Sequence, residues 1–232
     1  MKVAIMQPYF LPYIGYFQLI GAVDRFVIYD NIKYTKKGWI NRNRFLLNGR
    51  DEVFSLPLKK DSDALDIRDR SIAADFDRDR LLNRITEAYR RAPCFDTVSP
   101  LLRRIVERRE NNLFGFIHAS LIDVCAFLGI DTPLVVSSTL GIDHDLVGQD
   151  KVLAICRYMG ATAYINAIGG RTLYDHDAFA ARGMDLRFLQ SRPCAYPQLG
   201  QAFVPWLSIL DVLMFNTVEA TARNLLDNYD LI

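Results

Sequence analysis

What is scarce in this chain narrows it quickly. Charge of one sign is not in excess, since 28 Lys and Arg face 27 Asp and Glu for a net charge of +1. A surface that wraps nucleic acid needs a strong basic excess, so DNA is not an expected partner. Arg103-Arg104 and Arg108-Arg109 do cluster. Interleaved with Leu102, Ile105 and Val106, they read as the solvated face of a helix. No apolar run approaches the length of a membrane span, and Met1 leads straight into an apolar strand without a secretory leader. Membrane insertion is therefore not expected, and the expected location is cytoplasmic. The four cysteines (Cys94, Cys125, Cys156, Cys194) are widely spaced and form no CxxC pair, as in a reduced compartment. Cys125 and Cys156 lie in apolar helical contexts as buried thiols, whereas Cys94 and Cys194 stand beside proline and aromatic residues. The chain has three histidines. His118 lies on an apolar helix, and His144 and His176 sit in Asp-His-Asp loops. None has the spacing of a zinc site, so no metal is expected and the cofactor is left open. GxSxG and Walker loops are absent as well.

The chain contains no internal repeat, no low-complexity tract and no linker between halves, so residues 1–232 are expected to form one α/β domain. Half the residues are hydrophobic, the proportion of an ordinary globular protein. The first thirty residues are the most informative. Val3 to Met6 reads as a strand, Gln7-Pro8-Tyr9-Phe10-Leu11-Pro12 as a turn, Tyr13 to Gly21 as a helix, and Arg25 to Tyr29 as a second strand. Such a βαβ unit opens its first turn onto a helix N-terminus, whose free N–H groups favour anions. Arg44 to Leu47 and Val53 to Leu58 flank Asn48-Gly49, a hairpin signal, and Arg70 to Ile72 reads as a short strand. Helical periodicity then runs through Arg78–Arg90, Thr97–Glu110 and Leu113–Leu128, a mainly helical segment at about 78–128 that reads as an insertion or layer. Thr132–Ser137, Ala163–Asn166 and Leu186–Leu189 read as strands. Gly148–Met159 and the tail Ser208–Leu226 read as helices. Strands alternating with helices imply a mostly parallel sheet covered on both faces, of HUP or Rossmann-like type.

In such a sheet, ligands bind beyond the carboxyl ends of the strands. Four segments follow strands in that sense and supply candidate site residues. The first contributes Gln7, Tyr9, Tyr13, Gly15 and Tyr16. The second contributes Asp30, then Trp39, Asn41, Arg42 and Asn43 in a polar, aromatic loop. Ser137 follows the third strand. The fourth segment holds Asn166, Gly169, Gly170, Arg171, Tyr174 and Asp175. Gly169-Gly170 could form a nest of amides for an anion, with Arg171 adding a bidentate charge, or could be an ordinary turn. Among carboxylates, Asp175 is the best placed general base. Near the end of the chain, Tyr196 and Gln198 could cover the site as a lid. Ser208 has the position of an N-cap, and Asp211, three residues on, would complete a capping box.

Several separated motifs resemble the WbqC-like family. They are Met6 through Phe17, Asp24 through Asp30, Trp39 to Arg44, Leu128-Gly129-Ile130 with Ser137-Ser138, Gly169-Gly170-Arg171 with Tyr174, and Tyr196 through Asp211. The resemblance implies a biosynthetic protein of surface-polysaccharide or O-antigen gene clusters, with an aminoacyl (glycyl-type) transferase role suggested for some members. The opening βαβ unit is also similar to nucleotidyltransferases of the HIGH superfamily. At the positions of their H-x-G-H motif this chain reads Tyr13-Ile14-Gly15-Tyr16. Tyrosine supplies no cationic imidazolium, so nucleotide binding is retained more readily than adenylyl transfer.

The expected function is acyl or aminoacyl transfer onto an amino group of a sugar or small metabolite. Tyr13, Tyr16 and Asp175 are the catalytic candidates and the remaining residues bind substrate. The alternative is a non-catalytic nucleotide- or nucleotide-sugar-binding protein. The expected partners are small molecules, nucleotide-linked or borne on an acyl or aminoacyl carrier, and a homodimer is allowed.

Overall fold

The computed structural model describes residues 1–199 and 202–232. Its strands are β1 (Lys2–Met6), β2 (Arg25–Ile28), β3 (Arg42–Leu47), β4 (Arg50–Ser55), β5 (Leu134–Val136), β6 (Ala163–Ala167), β7 (Asp185–Ser191) and β8 (Tyr229–Leu231). Its α-helices are α1 (Ile14–Gly21), α2 (Arg78–Tyr89), α3 (Phe95–Val106), α4 (Leu113–Leu128), α5 (Gly148–Met159), α6 (His176–Ala180), α7 (Ile209–Phe215) and α8 (Val218–Asn224).

Six strands form one sheet in the order β5-β2-β1-β6-β7-β8. The first five in that order pair in parallel, and β8 joins β7 antiparallel. The mostly parallel, Rossmann-like α/β architecture is therefore present. The period of two along each strand divides the core. Ala4, Phe26, Ile28 and Ile165 face a layer containing α1, α3, α4 and α7. Val3, Ile5, Val27, Tyr164 and Phe188 face the opposite layer, which holds α5 and Phe179 of α6. Alternate strand residues bury against both sides because a parallel sheet is covered on both faces.

Local signals account for most boundaries. Asn112 caps α4 by accepting from the Gly115 N–H at 2.9 Å, and Asp77 caps α2 by accepting from the Arg80 N–H. Gly129 and Gly160 end α4 and α5 in the left-handed conformation, φ 68° in each; glycine adopts it without a Cβ penalty. Asn48 (φ 51°) and Gly49 (φ 76°) turn β3 back on β4, so both central residues take the positive φ of a type I′ hairpin. That hairpin forms its own two-stranded sheet.

Three expectations change. The tail helix is interrupted, because Asn216 is extended (φ −130°, ψ 139°) and Thr217 caps a new helix through the Ala220 N–H. Arg70 to Ile72 forms no strand; it touches its neighbours only through bridges between Leu58 and Ile72 and between Ser71 and Asn112. The third concerns the end of the chain, for which no element was expected: β8, Tyr-Asp-Leu, is too short for a period of two to be recognised.

The strand order also creates an opening. Chain connections run outward in both directions from β1 and β6, which makes their junction the topological switch point. These two strands pair only at Lys2–Ala163 and Val3–Tyr164. By contrast, β1 stays paired to β2 through Met6–Ile28, and β6 stays paired to β7 through Ala167–Leu189. The carboxyl halves of β1 and β6 therefore splay apart.

Candidate functional site

A cleft of about 580 Å³ fills the splay. Gln7 and Tyr9 line it after β1, Tyr29 after β2, and Asn166, Gly169, Gly170 and Tyr174 after β6. Gly148 and Gln149 contribute the first turn of α5. That turn has no side-chain cap, so the N–H groups of residues 148–150 have no intrahelical acceptor. A helix beginning without acceptors presents a partial positive charge and free donors. The anion-favouring helix end at this cleft is thus that of α5. The start of α1 is covered by the ring of Tyr13, which folds back so closely that a Cβ on Gly15 would lie 2.4 Å from a ring carbon. The missing Cβ of Gly15 makes room for the Tyr13 ring.

The cleft's titratable groups are phenols. Burial pushes the Tyr29 hydroxyl up to about 12, with Tyr174 and Asp66 adding to the shift. Burial also raises Tyr9 and Tyr174. Such phenols stay protonated and act as hydrogen-bond donors at neutral pH. The Tyr9 hydroxyl makes one long bond, 3.3 Å to Gln7 Oε1. Asn166 is buried, and its Oδ1 accepts from the Ala167 N–H at 2.7 Å. A Cβ on Gly170 would lie 2.8 Å from its Nδ2, whereas one on Gly169 would meet nothing within 4 Å.

Several expected site residues serve the framework. Tyr16 lies in the core, and its hydroxyl donates to the Gln7 carbonyl at 2.9 Å, fixing the turn from within. Asp30 is buried and accepts from Ser137 Oγ (2.9 Å), Ser138 N (2.9 Å) and Ser138 Oγ (2.6 Å), which locks the end of β2 to the end of β5. Asn41 accepts from the Tyr34 hydroxyl and donates to the Leu56 carbonyl. Arg42 donates to the Gly38 and Lys37 carbonyls and lies 5.5 Å from the Trp39 ring centroid, so its guanidinium shapes the loop. Asn43 donates to the Leu11 carbonyl at 2.9 Å, and Ser208 Oγ donates to that same carbonyl at 2.7 Å. These bonds clamp Leu11 at φ 44°, a conformation an L-residue holds only when its surroundings over-determine it.

Asp175 is exposed and lies outside the cleft lining. Its carboxylate caps α6 by accepting from the Asp177 N–H at 3.1 Å, and its own N–H donates to Gln149 Oε1 at 2.6 Å. These bonds tie Asp175 to the first turn of α5 and to the start of α6, outside the cleft where a general base was expected. Arg171 is likewise exposed and outside the lining. Asp211 forms no capping box. Its buried carboxylate accepts from the Tyr89 hydroxyl (2.8 Å), the Tyr196 hydroxyl (2.7 Å) and Gln198 Nε2 (2.6 Å). Ser208 does cap α7, through the Leu210 N–H at 3.3 Å.

Sequence reasoning missed Lys151 and Trp206. Lys151 is buried on the first turn of α5, where its ammonium donates to the His144 carbonyl at 2.9 Å. It also lies 5.2 Å from the Tyr29 ring centroid, and burial lowers its pKa. A lysine in a first helical turn opposes the macrodipole, and that anomaly was a usable signal. Trp206 is 61% exposed at φ 61°, with its ring edge-on to Tyr13 at 5.9 Å. The Arg44 guanidinium holds it by donating to its carbonyl at 3.1 Å. Nothing in its local sequence announced this.

Among the described residues, no group of three or more His, Cys, Asp or Glu side chains is placed to hold a metal ion. No helix among the described residues is long and apolar enough to cross a membrane. A parallel sheet split at its switch point, with an uncapped helix end and protonated phenols in the split, defines a Rossmann-like α/β protein with a cleft at the carboxyl ends of its strands. The chain belongs to the WbqC-like protein family, whose sequence profile matches residues 7–223. It is similar to an uncharacterized protein of Mycobacterium tuberculosis, Rv1507c, with 30% identity over 224 residues, covering 94% of this chain and 95% of that one. No solved structure matches.

Proposed function

We propose that this protein is an acyl- or aminoacyl-transferase acting on an amino group of a sugar or small metabolite, as in surface-polysaccharide biosynthesis. The observation that carries the reading is a run of three hollows flanking the Gln7–Tyr13 turn. Tyr9 lines both the cleft and a middle hollow of about 200 Å³. Tyr13 and Trp206 line both that hollow and a third of about 390 Å³. A two-substrate transfer needs adjoining sites of this kind, and the cleft and the third hollow have the volumes of ligand pockets, while the middle hollow is smaller.

The carrier's anionic portion would lie against the α5 turn. Tyr9 and Tyr174, held protonated, would donate to the oxyanion as the amine attacks the acyl carbon. The C–N bond forms, the bond to the carrier breaks, and the ammonium proton leaves with the departing group. The sequence roles of Tyr16 and Asp175 become turn support and helix anchor. Tyr13 keeps a place beside the acyl path.

A second reading, a non-catalytic nucleotide- or nucleotide-sugar-binding protein, draws on one observation: no carboxylate or imidazole lines the cleft. Gly169→Leu tests the cleft, because its added Cβ meets open space. The substitution should leave unfolding unchanged and abolish thermal stabilisation by coenzyme A, nucleotides or nucleotide sugars, whichever stabilises the wild type. Mass spectrometry of donor–amine mixtures then separates transfer from binding. Wild-type stabilisation in Gly169→Leu would remove the cleft from the function.

A further inference from the structure

The third hollow lies beyond Tyr13, beneath a strap formed by residues 192–199 and 202–207. Its walls include Ile14 of α1, Val212 of α7, Leu225, Phe203 and Leu207. Of the residues behind them, Ser191 donates to Gln18 Oε1 at 2.6 Å, and Gln18 Nε2 donates to the Leu225 carbonyl at 2.6 Å. The amide and the hydroxyl at the base are thus already bonded to protein. A ligand head that needs hydrogen bonds gains nothing from them, whereas an apolar group gains by leaving water.

The strap has no regular structure, yet it is pinned at many points. Arg192 pairs with Asp230. Tyr196 and Gln198 both reach the buried Asp211 carboxylate. Gln198 also exchanges bonds with both the N–H and the carbonyl of Val204. Arg44 holds the Trp206 carbonyl, and Ser208 holds that of Leu11. A buried carboxylate with three donors and a tryptophan at positive φ are costly means of shaping a loop. They keep a roof over the hollow and prevent its collapse.

We infer that this hollow is the acyl subsite: it takes the aliphatic chain of the donor, whose carbonyl then lies at the Tyr9–Tyr13 passage towards the cleft. The inference rests on the transferase reading and names its donor as an acyl group larger than acetyl or glycyl. The three hollows are neighbours, with Tyr9 between the first and second and Tyr13 and Trp206 between the second and third, so rotation of these rings is the path from carrier to chain that the inference requires.

The chain has two tryptophans, and Trp206 lines the hollow, so a Trp39→Phe protein reports from Trp206 alone. It is titrated with pantetheine thioesters from acetyl to dodecanoyl. Affinity should rise about three- to fourfold per methylene until the hollow is filled, then level off. Cys194→Leu, which narrows the hollow without adding a fluorophore, should flatten that series while Cys194→Ser preserves it. As an independent readout on unsubstituted protein, decanoyl-pantetheine should slow iodoacetamide modification of Cys194, measured by peptide mass spectrometry, and acetyl-pantetheine should not. Affinity independent of chain length, or equal modification with both probes, overturns the subsite. Benzoyl-pantetheine binding more tightly than every aliphatic member also overturns it, in favour of a planar ring. Loss of the Gly169→Leu effect would remove the cleft while leaving the chain-length series intact, so the two failures are distinguishable.

Discussion

Replacing Asp211 with alanine removes the acceptor shared by Tyr89, Tyr196 and Gln198, three donors from α2 and the strap. Each buried donor left without a partner costs about 1–3 kcal/mol. Allowing for water entering the vacated space, the loss should be about 3–5 kcal/mol, at the upper end for single substitutions. With a urea m-value near 2–3 kcal/mol/M, the unfolding midpoint should fall by about 1.5 M. The pH dependence checks the same site from another side. Burial raises the Asp211 pKa above the usual carboxylate range, and its hydrogen bonds to Tyr196, Gln198 and Tyr89 oppose that shift. A raised carboxyl pKa means that the folded protein holds the proton more tightly than the unfolded chain. Its contribution is therefore fully present below the unfolded value of about 3.9 and is lost as pH rises through the folded value. Asp211→Asn has no such proton. The stability of wild type relative to Asp211→Asn should fall with rising pH across the acid range and then stay flat. A midpoint unchanged in Asp211→Ala, or a gap that widens in favour of wild type as pH rises, would refute the assignment of Asp211 as the buried hub of the strap.

Tyr16→Phe deletes one core hydrogen bond, so it should lower stability by about 1 kcal/mol and retain ligand binding; complete loss of turnover at full stability would restore Tyr16 to catalysis. Asp30→Ala frees Ser137 and Ser138 and should cost about 2–4 kcal/mol, which calorimetry would read as roughly 5–12 °C in Tm; a negligible shift would show that β2 and β5 are held otherwise. Gly15→Ala should push the Tyr13 ring outward, because the new Cβ would sit 2.4 Å from it. Altered Trp206 fluorescence with only a modest stability loss is the expected result, and an unchanged spectrum would count against the Tyr13–Trp206 contact.

The elements were largely legible because their causes are local. Helix α5 begins and ends where its sequence indicates, with Gly160 terminating it, and Asn48-Gly49 turns the hairpin. Breaks without an apolar signature were not legible: Asn216-Thr217 divides the tail, and β8 forms only because β7 offers it an edge. At the site, the segments after β1 and β6 line one cleft, whereas Arg42 and Asn43, expected in a loop, fall within β3, and the allocation of side chains was not readable. Arg42 and Asn43 look like recognition groups in sequence, yet backbone carbonyls engage Arg42 Nε and Nη2 and Asn43 Nδ2. Trp206 stands in the Tyr196–Asp211 motif, but its exposed position beside Tyr13 was not legible, because Arg44, 162 residues away, holds its carbonyl.

By itself the sequence determined the parallel α/β class, the resemblance to the WbqC-like family and the rim on which to look, since strand period, helix caps and turn residues act over a few positions. Tertiary structure alone decided which polar groups remain free for a ligand. Asp30 meets Ser137 across 107 positions, Asp211 meets Tyr89 across 122, and Ser191 meets Gln18 across 173. A donor or acceptor is available only when no such distant partner has claimed it, and that pairing is a property of the folded chain.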